Sequence, residues 1–158
     1  MKKNKIIVVM PAYNAQKTLK KTYRDIPKNI IYKVILVDDG SHDKTVSIAR
    51  RLGIETYVHP QNRGYGANQK TCYTVALSKG ATIVVMIHPD YQYDATLTPE
   101  LIRPIISKRF DIMLGSRVRT RKEVLAGGMP VWKYFSNRFL TITTWSSPTE
   151  SAKYSQVG

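Results

Sequence analysis

Residues 5–14 read KIIVVMPAYN, five consecutive apolar side chains from Ile6 to Met10 followed by Pro-Ala-Tyr-Asn. A β-branched run without alternation is a strand covered on both faces, the situation of an interior strand in a parallel sheet. Pro11, with no N–H to donate to a ladder, is expected to end it. The same grammar recurs down the chain. Apolar runs at 34–38, 54–58, 82–87 and 110–114 predict four more strands, with 82–87 apolar enough to be central. Between them lie helical signals: Leu19, Tyr23 and Ile26 before Pro27; Val46, Ala49 and Leu52 after a cap at Ser41 or Asp43 and before Gly53. Residues 67–79 form another helix closed by Gly80, with Cys72 on its core side, and Thr98-Pro99-Glu100 opens a last one that contains Pro104. Strand and helix in alternation predict an α/β fold with a mainly parallel sheet flanked by helices.

The 158 residues are 42% hydrophobic and 23% charged, enough for one domain with a real core. No apolar run approaches the length of a membrane span, and the short apolar stretch after the basic N-terminus does not make a signal peptide. One cysteine forms no internal disulfide, so a cytoplasmic location is expected. The net charge of +14 is unevenly spread: +8 over residues 1–34, −1 over 35–100 and +7 over 101–158. Basic flanks around an acid-containing middle suit polyanionic partners: nucleic acid, an anionic membrane surface or phosphorylated small molecules. No RNA-binding signature, helix-turn-helix spacing or zinc set accompanies the charge, so specific nucleic-acid binding is not expected.

Each strand is followed directly by an unusual polar segment. Pro11 to Asn14 follows the first, Asp38-Asp39-Gly40-Ser41 the second, and His59 to Gly66 the third. His88 to Asp94 follows the fourth and Gly115-Ser116-Arg117 the fifth. Ligands of open parallel sheets bind outside the carboxyl ends of the strands, so five such motifs on one edge predict a site. Gly64-Tyr65-Gly66 lacks the third glycine of a dinucleotide loop and follows the wrong strand for one. His42 and His59 are expected at the surface.

The motifs PAYN (11–14), VDDGS (37–41), NRGYGAN (62–68), PDYQ (89–92) and LGSR (114–117) resemble those of family 2 glycosyltransferases. The similarity is strongest to the branch that moves a sugar from a nucleotide onto a polyprenyl or dolichyl phosphate. It spans roughly residues 5–140 and implies a Rossmann-like GT-A nucleotide-binding half. By that resemblance Pro11, Ala12, Tyr13, Asn14, Asp38, Asp39 and Gly66 bind the nucleotide of a UDP- or GDP-sugar, with Asp39 on the ribose or base. Asp90 holds a divalent metal, Mg or Mn, against the diphosphate; Gln92 sits near the sugar and Arg117 near the phosphates. The implied partners are a nucleotide-sugar, a lipid-phosphate acceptor and the anionic inner face of a membrane. The family writes its metal motif Asp-x-Asp, whereas this chain has His88-Pro89-Asp90, so His88 is either a metal ligand or a hydrogen-bond donor to phosphate.

A second function class, a nucleotide-sugar-binding module without turnover, fits the same motifs. It gains from the end of the chain, where the resemblance stops near residue 140 and eight of the last eighteen residues are Ser or Thr. Residues 1–140 are therefore expected to form the nucleotide-sugar domain and 141–158 a poorly ordered tail. The helix expected at 130–140, with Trp132, Phe135 and Phe139, suggests self-association as a homo-oligomer.

Overall fold

A computed structural model of the chain describes residues 4–115. In order these form β1 (Ile6–Ala12), α1 (Leu19–Asp25), β2 (Lys33–Asp38), α2 (Thr45–Arg51), β3 (Glu55–Val58), α3 (Tyr65–Ser78), β4 (Ile83–Met86) and α4 (Thr98–Ile106). A single 3-10 turn, Ala95–Leu97, leads into α4. All four strands are parallel, in the order β3-β2-β1-β4. The sheet is thus the expected Rossmann-like one, with β1 in its interior. Its order reverses where the chain leaves β3 and crosses to the far side of β1, which makes the ends of β1 and β4 the topological switch point.

The unbroken apolar pattern of β1 follows from two covered faces. Val8, Met10 and Ala12 pack with Leu36 of β2 against Leu19 and Ile26 beside α1 and Ala49 of α2. Ile7 and Val9 pack with Ile35 and Val37 against Cys72 and Ala76 of α3. Full burial of each large aliphatic side chain contributes about 1.5–3 kcal/mol, so this one strand anchors both layers. On α3, burial pushes the Cys72 thiol up to about 12, which makes it the inert core residue the sequence predicts. At the β4 margin Ile102 of α4 closes a smaller cluster with Ile6 and Ile83.

Two expectations need correction. Pro11 does not end β1; it pairs with Val37, and the strand runs on to Ala12. Alternate residues of β1 bond to opposite neighbours: Ile6 and Ala12 accept from β2-side amides, Lys5 and Val9 from Thr82 and Ile87 on the β4 side. Pro11 has the parity of Val9, and β4 ends at Met86, paired with Val9. Its missing N–H therefore faces β4 one step beyond Met86, where the ladder on that side stops, while the ladder to β2 continues. The second correction is the fifth strand. Residues 110–114 are extended coil, because no strand of the described sheet offers them a ladder and Phe110, Ile112 and Leu114 stay exposed. No helix among the described residues is long and apolar enough to cross a membrane.

Candidate active site

At the carboxyl edge of the sheet, over the switch point, lies a cleft of about 320 Å³. Its walls are Pro11 to Ala15 after β1, Asp39 after β2, Asn62, Tyr65 and Asn68 at the start of α3, and His88, Pro89 and Asp90 after β4, with Thr18. Seven of the expected site residues meet there: Pro11, Ala12, Tyr13, Asn14, Asp39, His88 and Asp90. Asp38, Gly66 and Gln92 do not line it. Arg117, the basic cluster around it, the helix at 130–140 and the Ser/Thr-rich tail lie outside the described residues.

Asp38 works behind the cleft. It is fully buried, and its carboxylate accepts from the backbone N–H of Ser41 at 2.8 Å and from the Ser41 hydroxyl at 2.5 Å. Ser41 Oγ in turn accepts the Asn14 N–H at 2.8 Å, and Asn14 Oδ1 accepts the N–H of His42 at 3.0 Å. These bonds hold Asn14 in the left-handed region, φ 51°, at the mouth of the cleft. Asp38 thus supports the cleft wall from behind. Gly66 is absorbed into the first turn of α3. Gln92 gives its backbone N–H to Asp90 Oδ1 at 3.0 Å.

Asp39 is a buried carboxylate with most of its capacity already used. Oδ1 accepts from the backbone N–H of Arg63 at 3.0 Å and from His59 Nδ1 at 2.7 Å, and Oδ2 accepts from Gly64 N–H at 3.0 Å. Burial alone would raise its pKa; the His59 hydrogen bond, the two amides and the nearby imidazole outweigh that and hold it below the ordinary carboxylate value. Of roughly four lone-pair positions three are taken among the described residues, which leaves one acceptor position on Oδ2. His59 is correspondingly buried, contrary to its expected surface place, with Nε2 3.0 Å from Thr71 Oγ1. Its spacing of twenty residues from Asp39 gave no local signal; only the β2–β3 pairing brings the two together.

Six further lining residues were given no role from sequence: Ala15, Thr18 and Pro89, and Asn62, Tyr65 and Asn68 of the NRGYGAN motif. Asn68 donates from Nδ2 to Val37 O at 3.1 Å, while its buried Oδ1 has no partner among the described residues. An unpaired buried acceptor costs about 1–3 kcal/mol, and here it belongs to a residue that lines the cleft. Asn68 sits at the end of the NRGYGAN segment, where a polar residue on the buried side of an otherwise packed helix is the readable sign.

The segment after β4 is fastened to α1. Thr18 Oγ1 donates to Pro89 O in a close bond, Tyr91 donates its hydroxyl to Asp25 Oδ2 at 2.9 Å, and Lys21 Nζ lies 3.8 Å over the Tyr91 ring. Tyr91 takes φ 61° as a result, a costly conformation for an aromatic residue. Asp90 itself is exposed, and its Oδ2 carries no hydrogen bond among the described residues. A single carboxylate oxygen suits Mg²⁺ or Mn²⁺ of the kind held by one protein acid and substrate phosphates. It does not suit a metal held by protein alone, and no group of three acidic, His or Cys ligands occurs among the described residues.

Residues 7–153 match the sequence model of glycosyl transferase family 2. The chain belongs to that family. Among its family 2 relatives an uncharacterized protein of Methanocaldococcus jannaschii is 31% identical over 143 residues, covering 90% of this chain and 58% of its own length. The UDP-N-acetylglucosamine–dolichyl-phosphate N-acetylglucosaminyltransferase of Methanococcus voltae is 29% identical, over 89% of this chain and 62% of its own. The chain therefore spans about three fifths of the length of these relatives. Glucosyl-3-phosphoglycerate synthase of Mycobacterium tuberculosis, crystallised with Mn²⁺, UDP and glucosyl-3-phosphoglycerate, superposes with a TM-score of 0.57 at 23% identity. That match covers 66% of this chain and 40% of the synthase, and it shows that the two share the GT-A fold.

Proposed function

We propose that the chain carries the nucleotide-sugar site of an inverting glycosyltransferase that moves a sugar from a UDP- or GDP-sugar onto a polyprenyl phosphate. The observation that carries the reading is Asn68 Oδ1, a buried acceptor without a partner among the described residues, in a cleft whose acidic walls are Asp39 and Asp90. A nucleoside supplies what the inner wall lacks. Its hydroxyl or ring N–H donors meet the one free position on Asp39 and the orphaned oxygen of Asn68, while Pro11 and Tyr13 provide apolar surface for the base.

Asp90 would hold a divalent cation, which supplies charge neutralisation to the leaving diphosphate. The chain's own part is to keep that carboxylate aimed and anchored through Thr18 and Tyr91 on either side of it. A phosphate monoester is largely an oxyanion near neutral pH, its second pKa being about 6, so the acceptor needs no protein base. This agrees with Asp94, the nearest further acid in the segment, whose Oδ1 accepts the N–H and hydroxyl of Thr96 and caps the following turn. In-line attack then inverts the sugar carbon. The lipid-phosphate acceptor rests on the resemblance in sequence and on the Methanococcus voltae relative, and it suits a cationic chain working at the cytoplasmic face of an anionic membrane.

Calorimetry with UDP, GDP and their sugars, with and without Mn²⁺, tests the donor half. One nucleotide should bind with metal-dependent affinity, and its sugar should pass to a polyprenyl phosphate. If none of them binds the chain, the reading is wrong; if a nucleotide-sugar binds and no sugar moves, the chain is a binding module.

A further inference from the structure

His88 follows β4 and lines both the nucleotide cleft and a second cleft of about 570 Å³ that runs along β4 toward α4. Its ring centroid lies 5.3 Å from that of Tyr65, and its Nε2 is 3.0 Å from the Tyr65 hydroxyl. The direction of this hydrogen bond follows from the next residue in line. The terminal amide of Gln69 meets Met86 Sδ at 3.2 Å with the same atom that touches the Tyr65 hydroxyl. A thioether sulfur can only accept, so that atom is the NH₂ nitrogen, and it donates to the Tyr65 oxygen. With that acceptor position filled by Gln69, the hydroxyl proton of Tyr65 is assigned to His88 Nε2. A ring nitrogen that accepts carries no proton, so the neutral imidazole bears its proton on Nδ1. Nδ1 has no partner among the described residues.

We propose that His88 is an anion-binding donor, its Nδ1–H taking an oxygen of the nucleotide's diphosphate, and that it is not a metal ligand. This rests on the nucleotide reading given above. Neither ring nitrogen has a lone pair to offer a cation: that of Nδ1 is protonated and that of Nε2 is taken by Tyr65. The cation is left with Asp90 and phosphate oxygens, and a donor stands where a second carboxylate would repel the diphosphate. Tyr65 and Gln69 are positioning residues, acting only through the proton they place on the ring.

Two measurements test this on the full chain. Ring ¹⁵N NMR, with His88 assigned by its loss in His88→Asn, should show Nδ1 protonated and Nε2 unprotonated, and Tyr65→Phe should exchange the two. A wild-type ring protonated only on Nε2 overturns the proposal. Calorimetry in EDTA compares UDP with uridine and GDP with guanosine. His88→Ala should weaken the preferred diphosphate about tenfold, the scale of a hydrogen bond to a charged group, and leave its nucleoside unchanged. His88→Asn, whose amide nitrogen overlays Nδ1, should restore most of the loss. An effect seen only with Mn²⁺ present, or equal losses for diphosphate and nucleoside, overturns it. If the wild type binds neither diphosphate, with or without Mn²⁺, the nucleotide reading itself fails and the diphosphate contact with it, whatever tautomer the ring shows.

Discussion

Asp90 and Gly40 show how differently single residues act on one cleft. The Asp90 carboxylate is exposed and tied only through Oδ1. Asp90→Asn removes an anionic oxygen and keeps the size, so thermal stability should hold while the Mn²⁺ dependence of nucleotide binding is lost. A variant whose affinity still rises on adding Mn²⁺ as in the parent would remove Asp90 from its role. Gly40 touches no ligand, but it lies at φ +74°, and a Cβ there would stand 2.8 Å from Asn62 N and 2.9 Å from Gln61 C. Both contacts are backbone and cannot rotate away. Gly40→Ala should destabilise the chain by about 1–3 kcal/mol and also weaken nucleotide binding, since the displaced segment carries the Arg63 and Gly64 amides that hold Asp39. Urea unfolding with an unchanged midpoint would refute this. In sequence Asp39 was legible as a carboxylate after a strand, with a nucleotide contact implied by resemblance; that one acceptor position stays open on it among the described residues depends on partners twenty and more residues away.

Among the elements, α1 is short but decisive, because it fastens the segment that bears Asp90. Tyr91→Phe removes the bond to Asp25 while keeping the ring under Lys21. Overall stability should fall by about 1 kcal/mol or less, but Mn²⁺ affinity in the presence of nucleotide should drop several-fold, because Asp90 is less firmly aimed. An unchanged Mn²⁺ affinity would show that the clasp is decoration. At the other margin Glu55 of β3 joins three elements, accepting from Lys33 of β2 at 2.6 Å, from Lys79 after α3 at 2.9 Å and from the Tyr57 hydroxyl at 2.7 Å. These bonds, led by Lys33, bring its pKa from 4.5 to about 2. A depressed carboxylate stabilises the fold above its ordinary pKa, and that stability is lost as pH falls from about 4.5 toward about 2. Glu55→Gln should cost on the order of 1 kcal/mol at neutral pH and flatten the acid limb of a stability–pH curve; an acid limb as steep as the parent's would be the contrary result. The strands β1 to β4 and all four helices were readable because apolar period and Gly/Pro punctuation are local signals. The extent of β1 was not, since whether Pro11 breaks a ladder depends on where β4 ends. Residues 110–114 failed for the complementary reason: their composition suits a strand, but a strand exists only beside another.

The chain as a whole is strongly cationic, and the site of its parallel sheet opens on one edge. With a net charge of +14, the full chain should bind vesicles containing anionic lipid at low salt and leave them near 1 M salt, where the screening length is about 3 Å. Sedimentation with neutral vesicles as the control checks this, and equal binding to both would exclude an electrostatic membrane contact. The position of the cleft has a simpler origin, traceable to Pro11. Val9 accepts the last amide of β4, from Ile87, and the next tooth of the zipper on β1 is a residue with no proton to give. The seam between β1 and β4 is therefore unfastened by covalent structure and not by thermal motion. A ligand entering there separates nothing that was joined, and the opening needs no lid or hinge to create it. Replacing Pro11 would hand back the missing proton, let the seam close one step further and narrow the entrance, and would also take apolar surface from the cleft wall.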